Sequence, residues 1–95
     1  MKEYSLFELA LFDINDYYKG RRTFASVLVI LKEIEMNSAG YQKDWVDQYK
    51  NEVEILEEIY SNYISDDDDL TKEDKETADK SISKIIELIK SVTNN

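Results

Sequence analysis

Proline is absent from this chain, and glycine occurs only at positions 20 and 40 of its 95 residues. Sheets reverse direction through tight turns that draw on glycine and proline. A chain so poor in both has little material for hairpins, and the fold class it leaves is all-α, with Gly20 and Gly40 as punctuation between helices.

Upstream of Gly20, residues Leu6, Phe7, Ala10, Leu11, Ile14, Tyr17 and Tyr18 recur at steps of three and four and share one wide helical face. Gly20 supplies the left-handed residue that ends such a helix. Thr23 can cap the next segment, where Phe24, Val27, Leu28, Leu31 and Ile34 keep helical spacing up to Asn37. Val29 and Ile30 add apolar surface on its other side, which makes this the helix expected to be most buried. A third segment opens near Asp44, read as its cap, and carries Trp45, Tyr49, Val53, Leu56, Tyr60 and Tyr63 in a heptad-like seam. These aromatic residues are read as core first and as contact residues second. The run Ser65 to Asp69 breaks the pattern as a loop, because adjacent aspartates repel and favour turns.

The last element starts at Leu70 and Thr71, with Thr71 and Asp74 in capping-box spacing and Ala78, Ile82, Ile85, Ile89 and Val92 as its seam. The spacing therefore predicts helices over 4–18, 23–37, 44–64 and 71–92, packed as a single antiparallel four-helix bundle in one domain, 1–95. Leu28, Leu31, Leu56, Ile82, Ile85 and Ile89 are its expected core. A chain of this size can take about 65% of its surface out of water, enough for one core.

Composition then narrows function. The chain has no cysteine and no histidine. Disulfides, thiolate nucleophiles and zinc–sulfur sites are excluded, and the commonest general base and metal ligand is missing. The expectation is a protein that is no enzyme and needs no cofactor. The longest apolar run, Val27 to Leu31, falls far short of the roughly 20 residues that span a bilayer. The N-terminus lacks the charged and apolar regions of a secretory signal, so a cytoplasmic location is expected.

Charge is the remaining signal. Twenty-one acidic and 12 basic residues give a net charge of −9. Residues 44–79 hold 14 of the acidic side chains and three of the basic ones, so this window carries −11 and the remainder +2. Such a surface repels nucleic acid and anionic lipid and favours a basic protein partner, although acidity also serves plain solubility. At about 100° per residue from Trp45, Asp47, Glu54 and Glu58 fall near 200°, 180° and 220°, opposite the apolar seam. Glu54 and Glu58 are like charges four apart, a spacing that costs a helix a few tenths of a kcal/mol. The candidate partner-binding residues are therefore Asp47, Glu54 and Glu58 with Asp66, Asp67, Asp68 and Asp69 of the following loop.

Other constellations carry less. A di-iron bundle requires Glu-x-x-His motifs, which a chain without histidine cannot supply. An EF-hand begun at Asp66 would place Thr71 where glycine is needed and Thr77 where the bidentate glutamate belongs, and the Asp67 register gives Lys72 and Ala78. Adventitious calcium binding at the aspartate run stays open. No carboxylate pair is marked for acid and base work. Lys19, Arg21 and Arg22 form a small basic corner read as a helix-end anchor.

In the Tyr18-Lys19-Gly20-Arg21 turn followed by Phe24, the Asp44-Trp45 opening of the third helix, Leu56-Glu57 and the final helix after Leu70-Thr71, the chain resembles the small acidic helical immunity proteins of bacterial toxin systems. These are the colicin D immunity type and its contact-dependent growth inhibition relatives. The resemblance covers most of the chain as a layout of helices, glycine turn and acidic loop. It implies an inhibitor that binds the nuclease domain of a toxin and covers its basic substrate-binding cleft, with the acidic stripe standing in for phosphate. Two other readings use the same features: a helical adaptor or regulatory protein that docks an apolar face on a partner, and a DNA mimic that sequesters a DNA-binding factor.

Overall fold

The computed structural model describes residues 5–62 and 70–93, which form four helices: α1 (Leu6–Tyr18), α2 (Phe24–Met36), α3 (Lys43–Ser61) and α4 (Lys72–Thr93). No strand occurs among the described residues. The fold is the all-α bundle that the periodicity predicts, and three of the four helix starts have a side-chain cap. Ser5 caps α1 by accepting a hydrogen bond from the Glu8 N–H (3.2 Å), Thr23 caps α2 through the Ser26 N–H (3.1 Å), and the Thr71 hydroxyl accepts from the Asp74 N–H (3.2 Å).

Helix α3 departs from expectation. It begins at Lys43 with Gln42 in the cap position and no side-chain cap, and Asp44 lies inside its first turn. There the carboxylate still favours the positive end of the helix dipole, so the residue type is right and the cap lies two residues earlier than expected. The helix ends at Ser61 instead of residue 64.

Gly20 ends α1 as expected. Its φ is +78°, its N–H bonds the Tyr17 carbonyl at 3.0 Å, and the Arg21 N–H reaches back to the Asp16 carbonyl at 2.8 Å, the two bonds of a Schellman motif. The basic corner folds onto this end, with Arg22 paired to Asp13 at 3.4 Å and Arg21 to Asp16 at 4.0 Å.

Pairing is sequential and antiparallel. α1 packs on α2, α2 on α3 and α3 on α4, whereas α1 meets α4 only sparingly. One end of the bundle gathers Phe7, Ile34, Tyr41 and Trp45, and the other gathers Tyr17, Phe24 and Tyr60. All six expected core residues are buried, joined by Ala10, Ile14, Val27, Tyr49, Val53 and Ala78. Val29 corrects the reading of α2: it is 62% exposed, because its side of the helix has no neighbour to pack against.

Helix α3 is the hub. Trp45 and Tyr49 stack 5.1 Å apart with their rings 11° from parallel, and each donates to a different helix. The Trp45 indole N–H bonds the Leu88 carbonyl of α4 at 2.8 Å, and the buried Tyr49 hydroxyl donates to the Leu31 carbonyl of α2 at 2.7 Å. Two ring residues one turn apart thereby tie both neighbouring helices to the third.

Candidate functional site

Because the seam from Trp45 through Tyr49, Val53 and Leu56 faces inward, the opposite side of α3 must face water. Asp47, Glu54 and Glu58 lie there, all exposed. At 1.5 Å per residue the row from Asp47 to Glu58 runs about 16 Å along the helix. None of the three carboxylates takes part in an ion pair among the described residues, although Lys50 precedes Glu54 by one turn. Glu57, around the side of the same helix, does pair, with Lys32 of α2 at 3.8 Å. Asp66, Asp67, Asp68 and Asp69 lie outside the described residues.

The second half of α3 is unusual for a helix. From Asn51 to Ser61 it holds Glu52, Glu54, Glu57 and Glu58 and no basic residue, and its last turn has no cation to meet the negative end of the dipole. α4 is built the other way, with Glu73 and Asp74 in its first turn and Lys90 in its last. Along one side its exposed positions Glu76, Lys80, Lys84, Glu87 and Lys90 mix both signs and carry a surplus of one positive charge, so that face is nearly neutral. The surplus negative charge of this side therefore belongs to α3.

Between the two helices runs a groove of about 590 Å³ lined by Asp47, Gln48, Asn51 and Glu52 of α3 and Lys84, Glu87, Leu88 and Ser91 of α4. Sequence reasoning placed Glu52 in the acidic window without singling it out. The structure buries it, with only 7% exposed, because its angular position is only about 50° from the centre of the apolar seam. The signal that would have found it is a glutamate directly beside Val53 and one turn before Leu56.

On the far end of the bundle Tyr18 donates to Asp79 Oδ1 at 2.8 Å and joins α1 to α4. Partial burial and this carboxylate raise the Tyr18 ionisation well above its ordinary value of 10.0, and burial, then Asp79, also raises Tyr17. Both phenols stay neutral, and Tyr18 serves as a donor. Among the described residues no three acidic side chains converge on a point that could hold a metal ion, and no helix is long and apolar enough to cross a membrane.

No family model, curated protein or solved structure matches the chain.

Proposed function

We propose that the protein is an immunity-type inhibitor whose α3 face, through Asp47, Glu54 and Glu58, binds a basic toxin nuclease domain and blocks its substrate site. The observation that carries this reading is the row of exposed carboxylates along α3 that have no ion-pair partner among the described residues; two of them, Glu54 and Glu58, lie in its second half, where the helix dipole disfavours them. A surface built for solubility alone can interleave its charges, as α4 does. An unbalanced row steers encounter with an opposite charge and raises association rates, which an inhibitor that must capture a nuclease before it cuts would use.

The partner to test is the C-terminal domain of any large secreted protein encoded by the neighbouring upstream reading frame. Glu54→Lys combined with Glu58→Lys should leave the helical circular dichroism spectrum intact, lower affinity for that domain by several kcal/mol, mainly by slowing association, and abolish protection of cells that express it. The wild-type affinity should also fall steeply between low and high salt. Equal affinity of both proteins at both salts would remove the acidic row from the interface.

A second reading, a helical adaptor, is favoured by one observation: Val29 and Met36, seven residues apart on one side of α2, are 62% and 79% exposed. Contact through that side would be nearly indifferent to salt, so the same pair of measurements separates the two.

A further inference from the structure

Glu52 is a carboxylate that the fold hides without neutralising. It is 7% exposed, and among the described residues it has no ion-pair partner. Its single hydrogen bond among the described residues is a 3.4 Å contact from the Asn51 side-chain amide to Oε2. No side-chain oxygen sealed from solvent lacks a partner among the described residues, so the second oxygen, which accepts no hydrogen bond among them, keeps contact with solvent, and Glu52 lines the α3/α4 groove. Removing a carboxylate this far from water is costly unless a cation or several N–H donors replace the lost hydration. Asp47 and Glu87 line the same groove, and its one basic lining residue, Lys84, is in no ion pair with any of the three.

We infer that this groove is a receptor for an arginine side chain presented by a basic protein partner. Among the described residues no three acidic side chains converge closely enough to hold a metal ion. A guanidinium suits carboxylates spread along a groove, since it is planar, always charged, weakly hydrated and carries five N–H donors in a fixed fork. Leu88 offers an aliphatic wall to the methylene stem. The groove's volume of about 590 Å³ admits the side chain together with the backbone that carries it. This inference rests on the reading of α3 as a face for basic partners, and it specifies which part of the partner enters and where.

The test is an NMR titration of the full chain with N-acetyl-arginine methylamide, alongside its lysine and citrulline counterparts. Saturable shifts are expected at the backbone amides of Asp47, Asn51, Glu52 and Leu88 and at the Trp45 indole N–H, which is bonded to the Leu88 carbonyl. Arginine should outbind lysine, and the uncharged citrulline should not bind. Glu52→Gln should weaken arginine binding about tenfold or more while leaving the melting temperature essentially unchanged, because the amide keeps the size and shape of the side chain. Glu54→Gln should leave arginine binding intact. If Glu52→Gln fails to fold, Asp47→Asn, at an exposed position, decides by the same weakening. Shifts that grow linearly and spread over every acidic surface, or an unaltered affinity in a folded Glu52→Gln protein, would overturn the inference. Arginine binding without binding to any toxin domain would sink the functional reading and keep the groove, and the converse would sink the groove alone.

Discussion

Two glycines and one tyrosine show how much a single position decides in this chain. Gly20 and Gly40 both have open space where a Cβ would go, with no heavy atom within 4 Å beyond their own chain neighbours. They differ only in backbone, since Gly20 sits at φ +78° and Gly40 does not have a positive φ. Gly20→Ala should therefore cost about 1–2 kcal/mol through strain alone, whereas Gly40→Ala should be neutral or stabilising by up to about 1 kcal/mol by restricting the unfolded chain. Urea denaturation of the two variants reads both values. Gly20 was legible in sequence as the left-handed residue that ends α1, and its φ and the two Schellman bonds around it bear that out, whereas spacing marks Gly40 only as punctuation and carries no sign of its φ. Tyr49 is the other decisive position. Burial, then the charge of Glu35, pushes its ionisation well above the ordinary 10.0. The folded chain thus holds that proton more tightly than the unfolded chain does, so its stabilising effect is complete below pH 10 and is lost as pH climbs above it. Tyr49→Phe should cost about 1–2 kcal/mol at pH 7 by removing the bond to the Leu31 carbonyl. The gap between the two proteins should narrow when unfolding is measured at pH 11.

At the scale of the helix, α3 sets stability against charge. Glu54 and Glu58 repel across one turn, and both lie toward the negative end of the dipole. Glu58→Lys converts that pair into the favourable order of glutamate four residues before lysine, and moves a cation toward the helix end. The swing should stabilise the protein by roughly 0.4–1 kcal/mol in low salt and shrink in high salt. The same substitution should weaken partner binding. Opposite signs for stability and affinity in one variant are what a functional charge gives, and a loss of both would point to a structural role. Element boundaries were read unevenly. Thr23 announced its helix as a hydroxyl preceding an apolar run and Thr71 through its capping-box spacing to Asp74, whereas α3 starts at Lys43 behind Gln42, which gives no side-chain cap, and Asp44 drew the boundary inward. Val29 was misread for a related reason: periodicity tells which residues could be buried, and whether a neighbouring helix arrives to bury them depends on the packing order.

The whole molecule behaves as a chain of pairings centred on α3. Leu56, fully buried at this hub, should cost about 2–5 kcal/mol when truncated to alanine. For a domain of this size that is a fall in Tm of roughly 10 °C or more, measured by circular dichroism melting. A small change would mean the core lies elsewhere. The core was legible because Leu28, Leu31, Leu56, Ile82, Ile85 and Ile89 repeat with the helix period, and burial follows from period once helices pack. The exposed row Asp47, Glu54 and Glu58 was legible on the same geometry. The groove was not, because it exists only where α3 and α4 come side by side. Glu52 and Lys84 are 32 positions apart, with nothing in either segment that refers to the other.

The ring of Trp45 gives the molecule an optical gauge. It is the only tryptophan in the chain. Its indole is tied to the Leu88 carbonyl on the groove wall, and its ring lies 5.1 Å from Tyr49 and 5.0 Å from Tyr41. Light absorbed by those two tyrosines passes readily to an indole at such range, and the colour of its emission depends on whether the N–H meets a carbonyl or water. One fluorescence trace therefore follows the α3–α4 joint during unfolding, and a second, taken as a ligand fills the groove, follows occupancy without any added label.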